Sequence, residues 1–188
     1  MSEPTLRILK VEVLSDDWAV LKKTTLEYLR RDGTWSKQVR QTFDRGDGAA
    51  VLPFDAERGT VLLVRQFRYA AGEYLWELVA GSKEPNESAR AGARRELLEE
   101  TGYKARRIRL LVEVIPTPGF LTETMAIFSA EGLKPGPPRP EADEHIEARR
   151  FSQSEVLSMV RRGSVRDAKT IVGILYYLRF VAAPNGSR

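Results

Sequence analysis

One glutamate-rich segment constrains this chain more than any other. Its composition predicts a helix over Ser88–Thr101, with Asn86 as a possible cap and Gly102 as the residue that ends it. At about 100° per residue, Glu96 and Glu100 lie about 40° apart on the small, inward face of this helix. Like charges four residues apart repel each other, and a divalent cation would remove that repulsion. The competing interpretation, for any glutamate-rich helix, is a surface ion pair with solvated acids.

The rest of the chain predicts strands in the middle and helices near the end, which is typical of an α/β sandwich. Residues 1–45 read as three strands, with an Asp32-Gly33 turn between the second and the third. Three strands alone are marginally stable, so this region must pack on the remaining residues 46–188 or on a second copy. The predicted elements that follow are Ala49–Phe54, Thr60–Phe67, Tyr74–Val79, Ile108–Ile115 and Glu123–Glu131 as strands, and Ser152–Arg162 and Asp167–Phe180 as helices.

Composition excludes several classes of protein. The 30 Lys and Arg residues are interspersed with 26 Asp and Glu residues, and this spacing argues against a nucleic-acid binder, the plainest rival interpretation. The longest apolar stretch, Ile171–Leu178, is too short to cross a membrane. With no cysteine there is no disulfide and no thiolate site, so a cytoplasmic location is expected.

The segment Gly81–Tyr103 resembles the signature of the Nudix hydrolases at every fixed position. Tyr103 stands where an aliphatic residue is more usual, and Asn86 replaces a usual glycine. A surface ion pair would not require glycine, glutamate and arginine at all of these spacings. The resemblance implies an α/β/α sandwich with a mixed sheet, whose helix presents glutamates to the pyrophosphate of a nucleoside diphosphate derivative.

The resemblance also implies a metal site. Glu96, Glu99 and Glu100 match the ligands of Mg²⁺, or of Mn²⁺ in its place, and the backbone carbonyl of Ala80 matches a further one.

Other positions of the motif match supporting residues. Arg95 would orient the glutamates, and Glu87 would tie the loop to the helix. Gly81 and Gly102 are the structural glycines of the motif.

The flanking segments resemble the ADP-ribose (ADP-sugar) pyrophosphatase branch of the family. They are Val64–Arg68, Leu75–Gly81, Pro118–Phe120 and Asp167–Thr170. The function expected from this resemblance is Mg²⁺-dependent hydrolysis of ADP-ribose, or a related ADP-sugar, to AMP and the sugar phosphate. Two alternatives stay open: hydrolysis of GDP-mannose or another nucleotide sugar, and a non-catalytic ADP-ribose-binding regulator.

The resemblance gives the N-terminal strands a role in dimerisation and base binding. In this branch the region is exchanged between two subunits, so a homodimer is expected. Trp18 and Trp35 would stack on the base, because planar aromatics suit a purine. Arg40 and Arg68 would reach the nucleoside and the phosphates, and Gly119 lies in a matching loop.

Two glutamates are candidates for the group that accepts the proton from water. Glu144 lies in an acidic cluster after the proline-rich loop, where this branch carries such a glutamate, and Glu99 is the second candidate. A charged surface loop would explain the same cluster. The single histidine, His145, is placed outside the mechanism, because metal-bound water needs no imidazole.

Overall fold

The computed structural model describes residues 5–137 and 145–182, and the chain divides into two compact units. The first unit comprises Met1–Gly46 together with Ile115–Glu123. The second comprises Asp47–Val114 and Thr124–Arg188.

The first unit is a three-stranded antiparallel sheet. Its strands are β1 (Leu6–Asp16), β2 (Val20–Leu29) and β3 (Trp35–Asp44), paired in that order. The predicted turn between β2 and β3 is confirmed: Gly33 has a φ of 82°, and the Asp32 carboxylate accepts the Thr34 amide at 2.9 Å. The segment Ile115–Glu123 is bound to this sheet, since the Phe43 amide donates to the Phe120 carbonyl at 2.8 Å.

The second unit is built on a mixed seven-stranded sheet. Its strands are β4 (Gly48–Asp55), β5 (Thr60–Arg68), β6 (Glu73–Glu77), β7 (Val79–Ser82), β8 (Tyr103–Val114), β9 (Met125–Pro135) and β10 (Glu147–Ser152). The order is β10-β5-β4-β9-β8, with β6 paired to β5 and β7 paired to β4. Only the β4–β9 pair among them is parallel.

Helices cover both faces of this sheet, which confirms the α/β/α sandwich. The helices are α1 (Ala89–Thr101), α2 (Gln153–Arg161) and α3 (Ala168–Phe180). Successive side chains of a strand point to opposite faces, so β4 supplies both cores. Ala49 and Val51 are buried with Leu97 of α1, whereas Leu52 is buried with Ile174 of α3. None of the described helices has the length and apolar character needed to cross a membrane.

Three elements differ from the sequence prediction. The expected strand Tyr74–Val79 is two strands, because the chain leaves its pairing with β5 and begins pairing with β4 after Leu78. The strand expected from Ile108 begins at Tyr103, directly after the helix. The edge strand β10 was not predicted, since its sequence has little apolar alternation before Phe151.

Candidate active site

Helix α1 carries the predicted acidic residues, and both of its ends are fixed locally. Ser88, not Asn86, is the N-cap, because its side chain accepts the Ala91 amide at 3.2 Å. Asn86 instead has a φ of 64°, a conformation that glycine adopts freely and asparagine tolerates, which explains how it replaces the usual glycine. At the other end, Gly102 has a φ of 71° and donates its amide to Leu98, as predicted.

The inward face of α1 combines small residues with a buried acid. Gly92, Ala93 and Leu97 are buried against the sheet. Glu100 lies on the same buried side and is 9% exposed. A carboxylate held this far from water favours a positive counterpart.

Strand β7 faces the helix at Gly81, where a β-carbon would displace a glutamate side chain of α1. Gly81 pairs with Ala49 of β4, and the Glu96 carboxylate lies directly over its α-carbon. A β-carbon at residue 81 would overlap the Glu96 carboxylate. Gly81 therefore sets where that carboxylate sits relative to β7.

Arg95 holds the loop and the helix together through one guanidinium group. Its Nη1 lies 2.7 Å from Glu96 Oε1 and 2.9 Å from Glu99 Oε2. Its Nε and Nη2 lie 3.2 and 3.1 Å from the two carboxylate oxygens of Glu87. Nη2 also donates to the Ser82 carbonyl at 2.9 Å, so Arg95 fixes residues on both sides of the loop.

The contact between Arg95 and Glu87 favours the charged form of both groups. The hydrogen bond from Arg95 lowers the pKa of the Glu87 carboxyl against a smaller opposing effect of burial. The same bond raises the pKa of Arg95 above its usual value. Four carboxylates pair with this one guanidinium, the fourth being Glu84, whose Oε1 lies 3.6 Å from Arg95 Nε, so the acidic groups outnumber the cation.

The predicted ligands fit a hard divalent cation by their chemistry. They are all oxygen donors, three carboxylates of α1 and the carbonyl of Ala80, which precedes Gly81 on β7. Within residues 5–137 and 145–182, no three acidic or histidine side chains form a ready-made ion site. Glu96 and Glu99 turn instead to Arg95, and Glu144 lies outside the described residues.

A second charged cluster, which the sequence analysis did not single out, surrounds Glu77. Glu77 is 1% exposed, and Arg68 donates hydrogen bonds to its two carboxylate oxygens at 2.7 and 2.8 Å. Lys169 of α3 contacts Glu77 Oε2 at 2.5 Å. The signal for this cluster was an acid within the apolar run Leu75–Val79. The predicted role of Arg68 in phosphate binding stays a prediction, and the structure gives its guanidinium this carboxylate partner.

The pKa of Glu77 follows from the balance of burial against two cations. Burial raises the pKa of this carboxyl, but the hydrogen bonds and charges of Arg68 and Lys169 together bring it below its usual value. Glu77 is therefore a buried carboxylate that stays ionised.

The predicted base-binding residues lie in the first unit. Trp18 is 66% exposed, and the Arg45 guanidinium lies 4.1 Å from its ring centroid. The Arg7 guanidinium lies 3.4 Å from the centroid of Trp35. Each indole therefore already pairs with a cation of its own unit.

The other two predicted substrate residues of this unit are exposed. Arg40 bonds to the Gln38 side chain and to the Val39 carbonyl, and Gly119 lies in the loop that joins β3. Their roles toward substrate stay predictions.

Comparison with known proteins extends these observations to the whole chain. Residues 44–171 match the family described as "NUDIX domain", and residues 5–43 match the "GDP-mannose pyrophosphatase NudK N-terminal domain". A "GDP-mannose pyrophosphatase" of Klebsiella pneumoniae subsp. pneumoniae is 36% identical, over 97% of this chain and 96% of that protein. One from Citrobacter koseri is 34% identical, over 92% and 94%.

A solved structure described as "Crystal structure of ADP compounds hydrolase" has the same fold. Its TM-score is 0.79 over 97% of this chain and 96% of that one, at 21% identity.

The Glu77 cluster predicts a pH-dependent contribution to stability. Because the native pKa of Glu77 is lowered, its contribution is present above the ordinary value of 4.5 and is lost as the pH falls through the native value. At about pH 7, Glu77→Gln should lower the free energy of unfolding by about 2 kcal/mol, less than for a fully buried pair because Arg68 is partly exposed. The measurement is urea denaturation from about pH 7 to about pH 3.

The difference in the free energy of unfolding between wild type and Glu77→Gln should shrink as the pH falls below about 4.5 toward the acid end of this range. Glu113→Gln, at an exposed position of β8, is the matched control and should change stability little at any pH. A difference that stays constant down to about pH 3 would contradict the assignment of an ionised Glu77.

Proposed function

The chain belongs to the Nudix family of hydrolases, and we propose that it cleaves the pyrophosphate bond of a nucleotide sugar, with GDP-mannose as the preferred substrate. The observation that carries this proposal is the likeness to GDP-mannose pyrophosphatases along nearly the whole chain. It includes the N-terminal strands, where the sequence predicts base-binding residues. The products would be GMP and mannose 1-phosphate.

ADP-ribose, the substrate expected first from the sequence, is the second candidate. Its support is the resemblance of Val64–Arg68, Leu75–Gly81 and Pro118–Phe120 to the ADP-sugar branch. Stacking on an indole tolerates either purine, so Trp18 and Trp35 are compatible with both substrates.

The catalytic part of the proposal places Mg²⁺, or Mn²⁺, on Glu96, Glu99, Glu100 and the carbonyl of Ala80. Such a cation supplies neutralisation of the diphosphate charge and a lowered pKa for water. Arg95 holds the carboxylates of Glu96 and Glu99 by hydrogen bonds. Gly81 leaves the space that the Glu96 carboxylate occupies.

The remaining steps fall to side chains that bind the substrate or accept a proton. Glu99 and Glu144 are the two candidates for the proton acceptor, and of these Glu99 lies within the residues that the structure describes. Arg68 would bind the diphosphate with the part of its guanidinium that faces solvent, since its side chain is 40% exposed. Arg40 and Gly119 would contact the nucleoside side of the substrate.

The protein is further proposed to act as a homodimer through the first unit. Strand β1 is an edge strand, and its apolar side chains Leu6, Ile8, Val11, Val13 and Leu14 are exposed. A long apolar edge strand invites pairing with another chain. A second copy of the chain is the proposed partner. A cytoplasmic location, expected from the absence of cysteine, goes with this proposal.

A panel of nucleotide sugars tests the substrate assignment. Phosphate release, coupled to a phosphatase that acts only on the products, should give GDP-mannose a kcat/KM at least about tenfold above ADP-ribose, ADP-glucose and UDP-glucose, equivalent to about 1.4 kcal/mol. A lead for ADP-ribose would establish the second candidate instead. Hydrolysis of none of these compounds would overturn the proposed function.

Glu100→Gln tests the proposed metal ligand. The exchange preserves shape but removes the buried charge, so kcat should fall at least about 100-fold, equivalent to about 2.7 kcal/mol, while circular dichroism stays that of the wild type. Glu113→Gln removes an exposed glutamate of β8 and should keep full activity. Near-normal rates in Glu100→Gln would refute the assignment.

Light scattering tests the dimer. At micromolar concentration the wild type should have twice the chain mass of 21.2 kDa. Ile8→Lys combined with Val13→Lys should give a monomer, because both side chains are exposed within the unit and only a partner would bury the new charges. A wild type that is monomeric throughout would count against a shared base-binding region.

A further inference from the structure

The start of α3, together with the residue before its cap, is bound to β6, the strand that precedes β7. Arg166 pairs with Glu73 of β6, and Lys169 pairs with Glu77 at the end of the same strand. One residue further on, the Thr170 hydroxyl accepts the Leu78 amide at 2.7 Å. All three contacts join segments more than ninety positions apart in the sequence.

Thr170 has a role that requires a hydroxyl group. It is 0% exposed, and its Oγ1 accepts the amide of Leu78, which is itself 1% exposed. The same oxygen donates to the Asp167 carboxylate at 2.5 Å, and that carboxylate caps α3. A hydroxyl can accept and donate at once, whereas valine of the same shape can do neither.

Leu78 is the residue at which the chain changes partner. It lies between β6, which pairs with β5, and β7, which pairs with β4. Val79 follows it, and then come Ala80 and Gly81. Because the Leu78 amide is fixed, it limits the positions that the Ala80 carbonyl and the Gly81 backbone can take.

Lys169 acts on the other side of this junction. Its ammonium group contacts Glu77 Oε2, and Arg68 Nη2 shares that oxygen at 2.8 Å. Asp167 Oδ1, at 3.0 Å, holds the ammonium from the opposite side. Lys169 thereby restricts the carboxylate on which the orientation of Arg68 depends.

The Arg68 guanidinium also lies within electrostatic range of α1. The hydrogen bond that Arg68 donates to Glu77 raises the pKa of Arg68 most, and the charge of Glu100 raises it further. The charge of Glu100, a proposed metal ligand, therefore acts on Arg68.

We propose that Lys169 and Thr170 are positioning residues for the hydrolysis. Thr170 sets the backbone of β7 through the Leu78 amide, and Lys169 sets Arg68 through the Glu77 carboxylate. The inference rests on the proposed function for its substrate arm. A purely structural attachment of α3 would lower stability and leave metal and substrate binding unchanged.

Four variants separate positioning from stability. Thr170→Val removes the hydroxyl, and Thr170→Ser keeps it. Lys169→Met removes the ammonium group from its carboxylate, and Lys169→Arg keeps a positive charge. Ser152→Ala is the matched control, because it removes the cap of α2, which has no described bond to β6 or β7.

Mn²⁺ affinity, measured by calorimetry on the full chain without substrate, tests the Thr170 part. Thr170→Val should weaken Mn²⁺ binding about tenfold, and Thr170→Ser should restore most of the affinity. Ser152→Ala should lower the melting temperature without changing the Mn²⁺ affinity. Wild-type affinity in a folded Thr170→Val variant would overturn this part, as would equal loss in Thr170→Val and Ser152→Ala.

Steady-state kinetics on the preferred nucleotide sugar test the Lys169 part. Lys169→Met should raise KM about tenfold with a smaller change in kcat and an unchanged Mn²⁺ affinity, and Lys169→Arg should recover part of the KM effect. An unchanged KM in Lys169→Met would overturn this part. Should Thr170→Val not fold, Thr170→Ala takes its place as the variant without the hydroxyl. Wild-type Mn²⁺ affinity in that variant, together with an unchanged KM in Lys169→Met, overturns the whole proposal.

The two levels of the proposal fail differently. A wild type that hydrolyses no nucleotide sugar refutes the proposed function, yet the Mn²⁺ measurements still decide the role of Thr170. An active wild type whose Thr170 and Lys169 variants bind Mn²⁺ and substrate normally refutes only the positioning role.

Discussion

The candidate site depends on one planar cation among several carboxylates. The Arg95 guanidinium donates in fixed directions, and it uses them on Glu87 from the loop, on Glu96 and Glu99 from the helix, and on the Ser82 carbonyl. A lysine could not make these bonds in one plane. Because four acidic side chains, Glu84 included, surround a single positive charge, the site retains the negative charge that a dication would neutralise.

The sheet supports this site from both faces. On one face, α1 packs on β4 through small residues, and its Glu96 carboxylate lies over Gly81 of β7. On the other face, α3 comes so close that a β-carbon at Gly173 would lie 2.7 Å from Leu78 Cδ1. Helix α1 thus packs against Gly81 of β7, whereas α3 packs against Leu78, the residue just before this strand, and the Glu77 cluster provides the polar part of the α3 contact.

Much of the structure around α1 was predictable from the sequence, because its contacts join residues that are close in sequence. The end of α1 at Gly102, the grouping of its glutamates and the pairing of Arg95 with Glu99 four residues on all follow from local sequence and helix geometry. The cap was misplaced by two residues, since Ser88 and Asn86 are both good capping residues and only the backbone shows that Asn86 is left-handed. The edge strand β10 was not predicted, because its side chains show little apolar alternation and its backbone pairing with β5 cannot be read from them.

The sequence by itself determined the fold class, the α1 acids and the family, because these depend on spacing within a short segment and on periodic burial. Only the tertiary structure revealed why an acid stands inside the apolar strand at Glu77. Its partners Arg68 and Lys169 lie 9 and 92 positions away, and they meet it only once β5, β6 and α3 have packed together. Likewise, only the tertiary structure shows that a β-carbon at residue 81 would overlap the carboxylate of Glu96. Contacts between distant segments are set by packing of the whole sheet, and no local pattern records them.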